Sequence, residues 1–210
     1  MLCKNILKSI IIIVLTFIIL GCAKENAMLI VGDSIFSGYS LNEDEDPVNL
    51  IKKTVHKETI EFCEPGLTLS AFSNRLTNYD NINISHVIIE LGANDFLLNK
   101  DIESTKRAFF KIINYFSNKS SNICLVSFVD SEMFSYVDYC DINLLHQYEE
   151  MYKSFQDNNV IIVTNIWENT FLKSEYKIDF FHPNKRGAEL ITRNIVKQLQ
   201  KYAFFKQIFI

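Results

Sequence analysis

Apolar residues are spaced along the chain in two ways. Five short runs are nearly continuous, at 28–31, 59–63, 86–91, 123–129 and 160–163, and runs of this length read as buried strands. Between them apolar residues recur three and four positions apart, the spacing of one helix face. Ala108, Phe109, Ile112, Ile113 and Phe116 show it within 102–116, and Leu190, Ile191, Ile195 and Leu199 show it near the end. Helices are predicted from Pro47 to about His56, over 69–79, 102–116 and 142–155, and after Pro183 and Asn184. Asp46 followed by Pro47 is a good helix start, because an aspartate caps and a proline suits the first helical position. Strands alternating with helices predict one α/β domain with a five-stranded parallel sheet and helices on both faces, a three-layer α/β/α sandwich. No internal repeat, low-complexity segment or interdomain linker interrupts it.

The first residues follow another pattern. Lys4 and Lys8 precede an uncharged apolar stretch over 10–20, which ends at Leu20-Gly21-Cys22. The stretch is short for a membrane span, which needs about 20 apolar residues, and has the layout of a secretory signal. Ile19-Leu20-Gly21-Cys22 resembles a bacterial lipoprotein signal. That resemblance implies cleavage before Cys22 and a lipid anchor on it; an uncleaved anchor helix is the alternative. The expected division is 1–21 signal peptide, 22–27 tether, 28–204 main α/β domain and 205–210 apolar tail. The protein is expected in the cell envelope, membrane-anchored and facing the periplasm or exterior. Lys24 stands where some such proteins carry an inner-membrane retention aspartate. The tail reads as the end of the last helix, with a membrane contact or dimer patch as alternatives.

The 210 residues carry a net charge of −4, more negative still without the two leading lysines. Nucleic acid is therefore excluded as an expected partner, since phosphate binding needs clustered Lys and Arg. Beyond Cys22, Cys63, Cys124 and Cys140 show no metal-ligand spacing, and no metal site is expected. A disulfide among them stays open. A monomer is expected.

Candidate chemistry lies where strands end. In open parallel sheets, sites form beyond the carboxyl ends of the strands, where strand order reverses; for the order 2-1-3-4-5 that is between strands 1 and 3. Ser34 follows the first strand, Gly66 the second and Asn94 the third, while Asp179 and His182 lie beyond the fifth. All fall on one edge. A serine hydroxyl needs a base at neutral pH. Of four histidines, only His182 sits in a loop with a carboxylate three residues before it. Asp179 at that spacing suits an orienter of the imidazole, and equally a cap of the last helix. The N–H groups of Ser34 and Gly66 and the side-chain amide of Asn94 are candidate oxyanion donors; a simple turn explains Gly66 and Asn94 as well.

Gly32-Asp33-Ser34, Gly66, Gly92-Ala93-Asn94-Asp95 and Asp179-Phe180-Phe181-His182-Pro183 resemble the four sequence blocks of the SGNH (GDSL-type) hydrolases, in order and across nearly all of the chain after Cys22. The closest resemblance is to the branch of bacterial thioesterase I, lysophospholipases and arylesterases. It implies the SGNH fold, with Ser34 as nucleophile, His182 as base, Asp179 as its orienter, and Ser34, Gly66 and Asn94 as the oxyanion hole. The second block keeps its glycine and little else. There is no G-x-S-x-G elbow, which argues against the α/β-hydrolase fold.

The resulting expectation is a serine esterase that cleaves acyl esters or thioesters through an acyl-enzyme, with no cofactor and with a small-molecule or lipid acyl ester as substrate. Ile35, Phe96, Leu97 and Phe134 are the expected substrate-binding residues, since apolar linings are usual for such pockets. Two other readings remain: an O-acetyl esterase acting on cell-envelope polysaccharide, and a non-catalytic envelope lipoprotein with the same fold.

Overall fold

The computed structural model describes residues 26–119, 121–135, 141–157 and 159–210. The expected signal peptide, Cys22 and most of the tether, and Cys140, lie outside the described residues. Strands β1 (Ala27–Gly32), β2 (Thr59–Cys63), β3 (Ile84–Glu90), β4 (Asn122–Val126) and β5 (Val160–Val163) form one sheet in the order β2-β1-β3-β4-β5. Every pairing is parallel, with Val31 opposite both Phe62 and Ile89. The predicted single-domain α/β/α architecture is the one observed.

Seven α-helices are present among the described residues: α1 (Pro47–Lys52), α2 (Leu69–Ser73), α3 (Ala93–Leu97), α4 (Ile102–Asn118), α5 (Ile142–Lys153), α6 (Lys185–Leu199) and α7 (Ala203–Lys206). α1 packs with α6, whereas α2 and α5 pack with α4. Sandwiched strands must be apolar on both faces, and β1 is buried along its whole length. The edge strand β2 is only half-buried. The apolar stripes predicted on α4 and α6 are the buried ones. Each fully buried side chain, such as Phe109 or Phe116, contributes about 1.5–3 kcal/mol relative to leaving it in water.

Helix starts follow the sequence closely. Asp46 caps α1, its carboxylate accepting from Asn49 N–H with Pro47 in the first turn, and Asp101, Asp141 and Asn184 cap α4, α5 and α6 in the same way. Several ends differ from expectation. α1 stops at Lys52 because Val55 leaves to form an antiparallel bridge with Phe209. The segment over 69–79 is α2 followed by a separate 3-10 turn (Leu76–Tyr79).

The C-terminus needs a larger correction. Residues 205–210 are neither a tail outside the domain nor the end of the last helix. α6 ends at Leu199, and α7 starts after a turn at Lys201 and Tyr202. The chain then folds back, with Ile208 accepting from His56 N–H and Ile210 N–H donating to Thr54. Phe205 and Ile208 are buried in the main core, so the apolar character of this segment is explained inside the domain.

Candidate active site

At the carboxyl end of β1, Gly32 leads into a turn that lifts Ser34 to the rim of the sheet while Asp33 stays buried. Asp33 holds the turn. Its Oδ1 accepts from Ile35 N–H at 3.0 Å and its carbonyl accepts from Ser37 N–H at 2.9 Å. Beneath it lies Glu90, the last residue of β3, whose Oε2 accepts from Asp33 N–H at 3.2 Å. Both acids are 1 % exposed. Burial pushes Asp33 up to about 6, against the opposing hydrogen bonds from Ile35 N–H and Glu90. Burial, reinforced by the charge of Asp33, pushes Glu90 well above the usual carboxylate range. The two shifts favour a charge on Asp33 and the shared proton on Glu90.

The loop before α6 brings the other chemistry to this edge, 148 positions along the chain from Ser34. His182 Nε2 is 2.9 Å from Ser34 Oγ, and His182 Nδ1 is 2.7 Å from Asp179 Oδ2. The second oxygen of Asp179 accepts from the N–H groups of Phe181 and His182 at 2.8 and 2.7 Å. Partial burial works to raise the Asp179 pKa, but these N–H groups and the imidazole outweigh it and hold the carboxyl below its ordinary value. The helix-cap alternative fails, because the α6 cap is Asn184. Tyr39 lies over the imidazole with 4.6 Å between ring centres. A hydroxyl, an imidazole and a carboxylate in this chain form an arrangement in which the histidine can take the serine proton while the carboxylate fixes its tautomer.

Two of the three expected oxyanion donors border Ser34. The Ser34 N–H has no acceptor among the described residues. Asn94, in the first turn of α3, lines the same cavity, and its Nδ2 donates to Asp33 Oδ2 at 2.9 Å and to the carbonyl of Leu67 at 3.2 Å. Gly66 sits in the β2–α2 loop with φ +79, a conformation that favours glycine, and a Cβ there would meet nothing within 4 Å. It does not line the cavity. The loop is nonetheless tied to α3 on both sides of the cap residue Thr68, through Leu67 to Asn94 and through Leu69 N–H to Asp95 Oδ2 at 2.9 Å.

The cavity beside Ser34 is partly open to solvent and has a volume of about 120 Å³. Ile35, Phe96 and Leu97 line it. Phe134 does not. Its ring stacks on His146 of α5, 4.4 Å between centres, and Met133 faces the cavity instead. Periodicity cannot separate these neighbours, because a 3-10 turn over Ser131–Ser135 sends successive side chains in different directions. Sequence reasoning also missed Phe128, Ile166, Trp167 and Phe171. The signal was available: they follow β4 and β5 on the same sheet edge as the other candidates.

Fold and site together define the class: an α/β/α domain with a five-stranded parallel sheet and a Ser-His-Asp chain at the carboxyl edge of that sheet. No protein-family model matches the sequence, and no curated protein is significantly similar to it. Solved structures share the fold. The psychrotrophic esterase EstA from Pseudoalteromonas sp., in a structure inhibited by monoethylphosphonate, superimposes with a TM-score of 0.69 at 21 % identity, over 84 % of this chain and 98 % of EstA. TesA gives 0.72 at 17 % identity, over 84 % and 99 % of the two chains. AlinE4, an SGNH-hydrolase family esterase, gives 0.60 at 19 % identity, over 85 % and 97 %.

Proposed function

We propose that this protein is a serine esterase hydrolysing carboxylic acyl esters or thioesters through an acyl-enzyme. The observation that carries the reading is the hydrogen-bonded chain from Asp179 through His182 to Ser34, at 2.7 and 2.9 Å. Ser34 Oγ attacks the ester carbonyl as its proton passes to His182 Nε2. Asp179 accepts from Nδ1 and stabilises the imidazolium that forms. The negative charge on the carbonyl oxygen is met by Ser34 N–H and by the Asn94 amide, which gives up its N–H to Leu67 in doing so. His182 returns the proton to the leaving oxygen or sulfur, water replaces the leaving group, and the same steps in reverse roles release the acid. The esterases that share the fold support this reading.

The test is hydrolysis of p-nitrophenyl esters by the full chain beside Ser34→Ala. The variant is expected to lose at least about 10⁴-fold in rate. A folded protein without activity, whose Ser34 does not react with a fluorophosphonate, would overturn the reading in favour of a non-catalytic binder.

The second part of the proposal concerns location: the chain is anchored to a membrane of the cell envelope by a lipid on Cys22. Leu20-Gly21-Cys22 after an apolar stretch supports it. Cys22→Ser is expected to abolish incorporation of labelled palmitate, with unchanged labelling counting against the anchor.

A further inference from the structure

Resting on the esterase reading, we infer that this cavity, open at its Leu97 and His182 side, is an acyl site whose apolar end accepts about five or six carbons, which makes the enzyme selective for esters of short fatty acids or of a single aromatic ring. The polar side chains of the lining, Asp33, Ser34, Glu90, Asn94 and His182, belong to the catalytic end. The remainder is apolar except for the Trp167 indole N–H, so it offers a sugar or a second carboxylate at most one donor and no acceptor. Phe128, Met133, Ile166, Trp167 and Phe171 close it, each less than one-tenth exposed.

Size sets the limit. An engineered cavity of about 150 Å³ lined by Leu, Ile and Phe holds one benzene, and the volume here is about 120 Å³. A closed apolar core resists expansion, because interiors are packed as densely as organic crystals. A longer chain must therefore turn back out past Leu97, which is half exposed, and its extra methylenes stay in water.

The acyl group rather than the alcohol takes this space because of the order of events. The leaving group takes its proton from His182 and must depart before water can attack. His182 borders solvent beneath the exposed Tyr39. What remains on Ser34 is the acyl group, and the closed end shields it while the solvent side admits water. Methylenes that fit should each raise kcat/KM about fourfold, the value of burying one CH₂, and those beyond the limit should add nothing.

The test uses the purified full chain, titrated first with a fluorophosphonate to count reactive serines, then assayed on p-nitrophenyl esters from acetyl to palmitoyl. The expected profile climbs from acetyl to a maximum at butanoyl or hexanoyl and falls at least about tenfold by decanoyl. Met133→Ala and Phe171→Ala, which deepen the closed end, should each raise the ratio of octanoyl to butanoyl rates. A wild-type maximum at decanoyl or longer, or a ratio unmoved in a variant that still titrates fully, would overturn the size limit and leave the esterase reading standing. A serine that fails to titrate would overturn both.

Discussion

The aspartate between Gly32 and Ser34 carries more than its place in a turn suggests. Its carboxylate accepts from Ile35 N–H in the nucleophile turn and from the Asn94 amide, so one buried charge orients two parts of the site. That charge is favoured because burial raises the pKa of Glu90 below it, so that Glu90 tends to keep its proton. The arrangement leaves a mark on stability. Both acids have raised folded pKa values, so between the ordinary carboxylate range near 4 and the Asp33 value of about 6 the folded state binds more protons than the unfolded chain. Stability must fall as pH rises through that window, and the raised pKa of Glu90 adds to the drop in the same direction. One proton is worth up to about 1.4 kcal/mol per pH unit. Glu90→Gln keeps the shape and a donor but removes a titrating group. Thermal unfolding between pH 5 and 8 is expected to show a shallower decline for Glu90→Gln than for the wild type. Parallel curves would show that Glu90 ionises normally in the folded protein.

Among the elements, α3 is the one whose placement decides the site, and it is five residues long. Helices this short are not stable alone; the junction with β3 and the Asp95 tie to the β2–α2 loop hold it. Gly92 makes the junction with φ +123, where a side chain is strained, and a Cβ there would lie 2.6 Å from Tyr152 Oη. That hydroxyl donates to the Leu91 carbonyl at 2.5 Å, anchoring α5 to the end of β3. Gly92→Ala is expected to cost about 2–4 kcal/mol, combining backbone strain with the collision. In a Tyr152→Phe background the collision is relieved and only the strain remains. Urea unfolding of the two single variants and the double should therefore give a double-variant loss smaller than the sum. Strict additivity would place the whole cost in the backbone.

For the whole molecule, both ends of the described chain meet the same region. β1 lies second in the sheet, beside the edge strand β2, and the segment after α7 packs back over the stretch that joins α1 to β2. Phe205 is fully buried, and its ring meets His86 of β3 edge-on at 5.2 Å between centres. His86 in turn has Nε2 2.7 Å from the Phe204 carbonyl. The last residues thus brace the amino edge of the sheet, opposite the site. Phe205→Ala is expected to cost about 3–5 kcal/mol, read as a fall in the denaturation midpoint, while the catalytic groups at the other edge keep their arrangement. A loss below about 1 kcal/mol would show that the segment is not part of the cooperative core.

The sequence determined the strands, the helix starts and the edge on which the chemistry gathers. These follow from local rules: runs that must be buried on both faces, caps such as Asp46 and Asn184, and the single direction of parallel strands. Ser34, Asn94, Asp179 and His182 were legible because each follows a strand on that edge. What lay beyond local rules was decided by packing between distant segments. The sequence could not show that Asp33 and Glu90, 57 positions apart, would be buried against each other, since either acid alone reads as exposed. It could not choose Met133 over Phe134 for the cavity, because one stacks on a helix fixed elsewhere. Nor could it show that residues 205–210 fold back into the core, because an apolar run carries no record of what covers it. Periodicity reports that a side chain must be buried; only the tertiary structure says against what.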